Sequence, residues 1–220
     1  MQKSVIIVAG GSGKRMGTET PKQFLLLKSK PILMHTIARF YEFDTSIEIV
    51  VVLPKEHIST WRQLCTHHNF DIKHIIVEGG SERFYSVKNG LDVINHTGIV
   101  AIHDGVRPLV SKETIIRCFN KAEVTGAAIP VMPVVESLRR LDGEKSFSVN
   151  RSEYVTVQTP QCFNIELIKK AYQQNFSTTF TDDASVVEKL GPSVSLVEGN
   201  IENIKITTPQ DLILAENLIG

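Results

Sequence analysis

The residue types that could do chemistry gather first in VAGGSGKRMGTETPKQF, Val8 to Phe24, directly after the apolar run SVIIVA. A glycine-rich turn entering a helix leaves backbone N–H groups without intrachain partners, and those donors, aided by the helix dipole, bind anionic oxygens. Gly10, Gly11, Gly13 and Gly17 let a ligand approach the backbone closely. Arg15 can grip a phosphate through two N–H groups at once, and Lys22, behind the stiffening Pro21, supplies a movable point charge. The chemistry implied is phosphate binding. Known phosphate loops do not fit the spacing, however. A Walker A loop would need glycine at Val8 and Ser or Thr at Arg15, and a dinucleotide fingerprint starting at Gly11 and Gly13 would need glycine at Met16.

A second polar group stands in IHDGVRP, where Asp104 closes another apolar run. At the end of a strand in a doubly wound sheet, such an aspartate can hold Mg²⁺, accept hydrogen bonds from a ligand's hydroxyls, or cap the turn at Gly105. His103 alternates with it, points to the other side of the strand, and reads as structural. No Ser-His-Asp order, thiol–base pair or zinc spacing is present. This suits a reaction whose nucleophile is itself a phosphate monoester. With a second pKa of about 6, that group is ionised at neutral pH and needs no general base, so the protein has only to align reactants and neutralise charge.

These side chains must be positioned by a scaffold, and the sequence outlines one. Short β-branched runs, SVIIVA, IEIVVVL (47–53), KHIIVE (73–78), GIVAIHD (98–104) and GAAIPVM (126–132), alternate with segments of helical period. Those helices are expected near Pro31 to Phe43, Lys55 to Asn69, Glu82 to Asn95 and Ser111 to Thr125. The pattern predicts an α/β fold: a Rossmann-like, three-layer α/β/α arrangement around a mostly parallel sheet, whose ligands sit at the carboxyl ends of the strands. Each loop of interest follows a strand, including GGSERFYS after the third.

From Pro133 to Val157 the rhythm changes to alternating stretches around Asp142-Gly143, a hairpin signal, so a β-arm is expected to project from a single domain spanning 1–220. An isolated hairpin cannot bury the arm's Val, Leu, Phe and Tyr side chains, and a second copy of the chain is the simplest cover. Further on, Thr208-Pro209-Gln210-Asp211 offers an N-cap, a first-turn proline and a third-position carboxylate, which fixes the start of the last helix and leaves Lys205 just before it.

Composition limits the partners. At 220 residues, with Lys plus Arg equal to Asp plus Glu at 24 each, the chain has no global basic field for nucleic acid, which favours a small-molecule partner. Cys65, Cys118 and Cys162 lack metal-ligand spacing and suit buried thiols in a reducing compartment. The N-terminal apolar stretch is too short for a signal peptide, no run approaches the roughly 18 residues of a membrane span, and a soluble cytoplasmic protein is expected.

Taken together, VAGGSGKRMGTETPKQF, EGGSERFYSV, HDGVRP, VQTPQCF, TDDAS and NIKITTPQDL, in that order from Val5 to Ala215, resemble the nucleotidyltransferases that join a nucleoside monophosphate to a phosphorylated alcohol. Among these the chain is most similar to the 2-C-methyl-D-erythritol 4-phosphate cytidylyltransferase (IspD) family. The resemblance implies CMP transfer from CTP to that alcohol phosphate, in non-mevalonate isoprenoid precursor synthesis, with Mg²⁺ bridging the triphosphate oxygens. It implies that Arg15, Lys22 and Lys205 stabilise charge at the α-phosphate, and that the Gly10, Gly11 and Gly13 backbone cradles the triphosphate. Gly80, Ser81 and Ser86 would read cytosine. Asp104 would bind the acceptor's hydroxyls or lie close to the metal, and Ser137, Arg151 and Thr159 would hold the methylerythritol phosphate. The arm would reach into the site of a partner in a homodimer. The chain departs from the family's usual pattern at Glu136-Ser137, where Asp-Thr is common, and at Gly105-Val106, where an alanine pair is usual.

Other readings are open to test. A sister family performs the same chemistry on ribitol 5-phosphate; Val106 leans toward it, whereas TDDAS leans back. A dinucleotide-dependent reductase is disfavoured by Met16. A non-catalytic nucleotide-binding protein would leave Arg15, Lys22 and Lys205 without a common purpose.

Overall fold

The fold is that of a computed structural model, which describes residues 1–11 and 20–219. Strand β1 (Lys3–Val8) is a run of β-branched residues buried on both faces, as a central parallel strand requires. After it come a 3₁₀ turn (Lys22–Phe24), a small ribbon of β2 (Leu26–Leu27) and β3 (Lys30–Pro31), and then α1 (Ile32–Phe43). Alternation continues through β4 (Glu48–Leu53), α2 (Lys55–His67), β5 (Ile75–Glu78), α3 (Arg83–Asp92), β6 (Ile99–Asp104), α4 (Lys112–Thr125) and β7 (Ala127–Pro133). The Ser111 hydroxyl accepts from the Thr114 N–H to start α4, and Gly126 ends it at φ +84°, a conformation that costs other residues a steric clash.

The hairpin expected around Asp142-Gly143 is β8 (Arg139–Asp142) and β9 (Lys145–Ser148), which form a two-stranded sheet of their own among the described residues. The chain then returns through β10 (Val155–Val157) and β11 (Gln161–Asn164) to α5 (Ile165–Ala171), α6 (Asp183–Glu188), β12 (Ser195–Glu198) and α7 (Pro209–Leu218). Thr208 and Asp211 form the capping box that starts α7, with Pro209 in its first turn.

The eight-stranded sheet runs β10-β7-β11-β6-β1-β4-β5, with β12 also on β7. Pairs β1·β4, β1·β6, β4·β5 and β12·β7 are parallel, whereas β11 is antiparallel to β6 and β7, and β10 to β7. From β1 the chain steps outward to β4 and β5, then returns to the other side of β1 as β6. That reversal opens a crevice at the carboxyl ends of β1 and β6. Alternate side chains supply two cores: Val5, Ile7, Phe40, Trp61 and Phe119 on one face, and Ile6, Val50, Phe84, Phe163 and Tyr172 on the other. Cys118 and Cys162 are buried, Cys65 is half-buried, and all are free thiols.

Candidate active site

Val8 pairs with Asp104 across β1 and β6, so the glycine-rich turn and the aspartate leave the sheet side by side. Gly10, Gly11, Lys22, Gly80, Ser81, Ser86, Asp104 and Lys205 line one cleft there. Lys205 arrives from far along the chain because the Ile206 N–H donates to the Val106 carbonyl at 3.0 Å, which splices the segment before α7 onto the loop after β6. A small core of Val106, Leu109, Ile206 and Ala215 closes that splice.

Asp104 is only 7 % exposed and is ringed by cations. Its Oδ2 lies 3.1 Å from both Arg107 Nε and Lys205 Nζ, while Oδ1 lies 4.0 Å from Arg83 Nε. Burial by itself raises the pKa of this carboxyl, but Lys205, Arg83 and Arg107 outweigh it and hold the group well below the usual carboxylate range. Lys22, Lys205, Arg83 and Arg107, set against Asp104, Glu82 and Asp183, the bidentate partner of Arg83, leave a small positive excess at the cleft, suited to phosphoryl oxygens.

His103 faces the opposite way, as its alternation with Asp104 predicts. It is fully buried, edge-on to Phe40 at 4.9 Å, and its Nε2–H can only donate to the Arg107 carbonyl at 3.1 Å. Its Nδ1 therefore accepts from the Thr159 hydroxyl at 3.0 Å, and the Thr159 oxygen accepts from the Asp104 N–H at 3.1 Å. His103 is thus a structural support beneath the cleft. Thr159 shares that burial, at 6 % exposed, and does not line the cleft wall.

Lys22 is 9 % exposed on the 3₁₀ turn, which Phe24 anchors by stacking on Trp61 at 6.0 Å. A Cβ at Gly11 would sit 3.1 Å from Lys22 Cε and 3.4 Å from Nζ, so glycine lets the ammonium lie over the loop backbone. At Gly80 the approach is tighter: a Cβ would come within 2.3 Å of the Tyr85 Cβ. The Gly80 N–H donates to Ser86 Oγ, which donates to the Glu82 carbonyl, both at 3.1 Å, giving this loop a fixed shape.

Gly13 and Arg15 lie outside the described residues. Ser137 and Arg151 are exposed on the arm, away from the cleft lining, and an Arg151 N–H donates to the Val135 carbonyl. Arg83 and Arg107 were not singled out by sequence, although both stand in the GGSERFYS and HDGVRP stretches. What marks them is their contact with Asp104, which only the fold supplies.

The described residues do not fit a protein-held magnesium ion. No group of three or more His, Cys, Asp or Glu side chains among them could ligate a metal, and the oxygens of Asp104 already face three cations.

Residues 4–220 match the family model for 2-C-methyl-D-erythritol 4-phosphate cytidylyltransferase (IspD). The chain belongs to this family. It is thereby a nucleotidyltransferase enzyme of the cytidylyltransferase kind. A family member from Bacteroides fragilis is 56 % identical over 219 residues, covering 100 % of both chains, and one from Bacteroides thetaiotaomicron is 53 % identical with the same coverage. Among solved structures, the cytidylyltransferase of Thermus thermophilus is 34 % identical with a TM-score of 0.81, covering 99 % of this chain and 98 % of that one. The Francisella tularensis member is 30 % identical with a TM-score of 0.82, covering 100 % of each. The mostly parallel sheet with its helical layers is the cytidylyltransferase fold of these structures.

Proposed function

We propose that the Asp104 cleft transfers CMP from CTP to the phosphate of 2-C-methyl-D-erythritol 4-phosphate. The products are 4-diphosphocytidyl-2-C-methyl-D-erythritol and pyrophosphate. The observation that carries this reading is the gathering of Lys22, Lys205 and Arg83 on one cleft with the Gly10–Gly11 backbone, with Arg107 paired to Asp104 from behind and Asp104 and Glu82 the carboxylates of the cleft wall among the described residues. An acceptor phosphate oxygen attacks the α-phosphorus of CTP, a new P–O bond forms, and the bond to the bridging oxygen breaks with pyrophosphate leaving. The acceptor phosphate is already ionised, so no proton need be removed, which agrees with His103 being sealed away from the cleft.

On this reading Lys22, Lys205 and Arg15 neutralise the charge growing on the α-phosphate, and the backbone of Gly10, Gly11 and Gly13 receives the triphosphate. Gly80, Ser81 and Ser86 read the cytosine, a role supported by the rigid Gly80–Ser86 hydrogen bond. Asp104 accepts hydrogen bonds from the acceptor's hydroxyls. Ser137 and Arg151 come from the arm of a second copy, and Thr159 supports the acceptor's side of the site from beneath Asp104. Magnesium is a counter-ion of the incoming triphosphate here, and no residue of the chain is assigned to it.

A homodimer is supported by the apolar arm, where Val135 and Leu141 are 75 % and 78 % exposed and Phe147 and Tyr154 are also uncovered. Free cysteines support a reducing, cytoplasmic setting. The relatives carry the methylerythritol name, which favours that acceptor over ribitol 5-phosphate. The test is ³¹P NMR of the product after incubation with CTP, magnesium and each acceptor. A new diphosphate diester only with methylerythritol phosphate is expected; one formed only with ribitol 5-phosphate would overturn the acceptor.

A further inference from the structure

TDDAS, Thr181 to Ser185, lies off the cleft lining, yet it holds a fully buried carboxylate, Asp183. A buried charge is stable only when paired, and the partner of Asp183 lies 100 positions away: Arg83 Nη1 donates to its Oδ1 at 2.8 Å and Nη2 to its Oδ2 at 2.6 Å. The Tyr172 hydroxyl donates to the same Oδ1 at 2.6 Å. Phe84 stacks on Tyr172 at 4.7 Å and on Phe180 at 5.8 Å, which shields the Asp183 end of the pair from water, while the Arg83 side chain stays 33 % exposed toward the cleft.

The geometry decides what this pair can do. Each outer nitrogen of Arg83 directs one N–H at Asp183, and the Nε edge of the same guanidinium faces Asp104 at 4.0 Å. Arg83 is also the first residue of α3, separated from Gly80–Ser81 only by the N-cap Glu82. One guanidinium therefore spans two carboxylates and sets the distance between the Gly80–Ser86 loop and Asp104. Asp182 makes a matching tie, accepting from Gln161 Nε2 at 2.8 Å, while Gln161 Oε1 accepts from the Ala184 N–H at 2.9 Å. The start of α6 thus braces the loop at one wall and β11 behind the other. Released from Asp183, Arg83 would swing onto Asp104, compete with Lys205 and Arg107, and draw the loop inward.

We propose that Asp183 is a positioning residue for nucleotide binding, acting through Arg83 to hold the Gly80–Ser86 loop at a fixed spacing from Asp104. The inference rests on the reading that this cleft binds CTP. Its test is the KM for CTP in pyrophosphate release by the full chain, for the wild type, Asp183→Asn, Tyr172→Phe, Arg83→Gln and the paired combinations with Arg83→Gln.

Asp183→Asn should raise the KM by about 10-fold, and Tyr172→Phe, which keeps the ion pair, should raise it by roughly 3-fold. In the Arg83→Gln background neither should add anything further. A purely structural Asp183 would lower the active fraction and hence the apparent kcat, but leave KM alone, since KM does not depend on how much enzyme is folded. Unchanged KM values, or additive effects in the Arg83→Gln background, would overturn the proposal. If Asp183→Asn fails to fold, Tyr172→Phe and its combination with Arg83→Gln carry the test. A wild type that releases no pyrophosphate would sink the functional reading instead.

Discussion

At the scale of single residues, the cleft's chemistry depends on where positive charge is held. Lys22 is drawn against Gly11, behind Pro21 and above the Phe24–Trp61 stack, so its ammonium is placed rather than freely searching. If that charge acts mainly on the transition state, Lys22→Ala should lower kcat by about 10² or more while weakening CTP binding far less. Steady-state kinetics beside calorimetric CTP titration would check it, and equal losses in both would mark Lys22 as a binding residue only. Beneath the cleft, burial is the main influence on His103 and lowers its pKa to about 4 from 6.5, against the opposing pulls of the Arg107 carbonyl and Asp104. The unfolded chain takes up that proton as pH drops through 6.5, whereas the native chain holds off until about 4, so stability is lost across this window. Between pH 7 and pH 5 the loss should be about 2 kcal/mol. Asp104, held low by its cations, stays charged throughout and adds nothing there. Urea unfolding of the wild type and His103→Gln at both pH values should show a smaller loss in the variant; equal losses would contradict the assignment.

At the scale of elements, the parallel strands and their helices were legible because each is a β-branched run or an amphipathic period of sufficient length. The turn at Asp142-Gly143 was legible from its chemistry, and Gly143 indeed sits at φ +56° in the loop joining β8 and β9. The insertion of β11 between β6 and β7 was not. Gln161–Asn164 is a short segment with no alternation, and it joins the sheet antiparallel through long-range pairing that no local pattern encodes. The Arg83–Asp183 pair was hidden for the same reason: the motifs containing both residues were visible, but not their contact. Phosphate-loop and strand-end signals pointed to Lys22 and Asp104, whose backbone positions follow from those motifs, whereas Lys205 was singled out by the family resemblance and reaches the cleft through the long-range Ile206–Val106 hydrogen bond. For the arm, Arg151→Ala should raise the KM for the acceptor several-fold, about 10-fold if one charged contact is lost, and leave that for CTP nearly unchanged. A collapse in CTP binding measured by titration would place Arg151 elsewhere.

At the scale of the whole molecule, the exposed apolar arm and the cleft it does not touch within one chain belong together only if a second copy is present. Sites shared between protomers make an arithmetic prediction. Mixing Lys22→Ala with Arg151→Ala chains gives dimers of which half are mixed, and each mixed dimer holds one intact site and one doubly altered site. At low acceptor concentration the mixture should recover roughly a quarter of wild-type activity, above either variant alone. Activity equal to the average of the separate variants would mean that each chain completes its own site.

The proposed reaction is cytidylyl transfer to an external phosphate at the Asp104 cleft. It is tested most directly by the initial rate of pyrophosphate release in magnesium buffer from CTP with methylerythritol phosphate, from CTP alone, and from UTP with the same acceptor. Release from the first mixture, with little from the other two, is expected. Release from CTP without an acceptor, or none from any mixture, would contradict it.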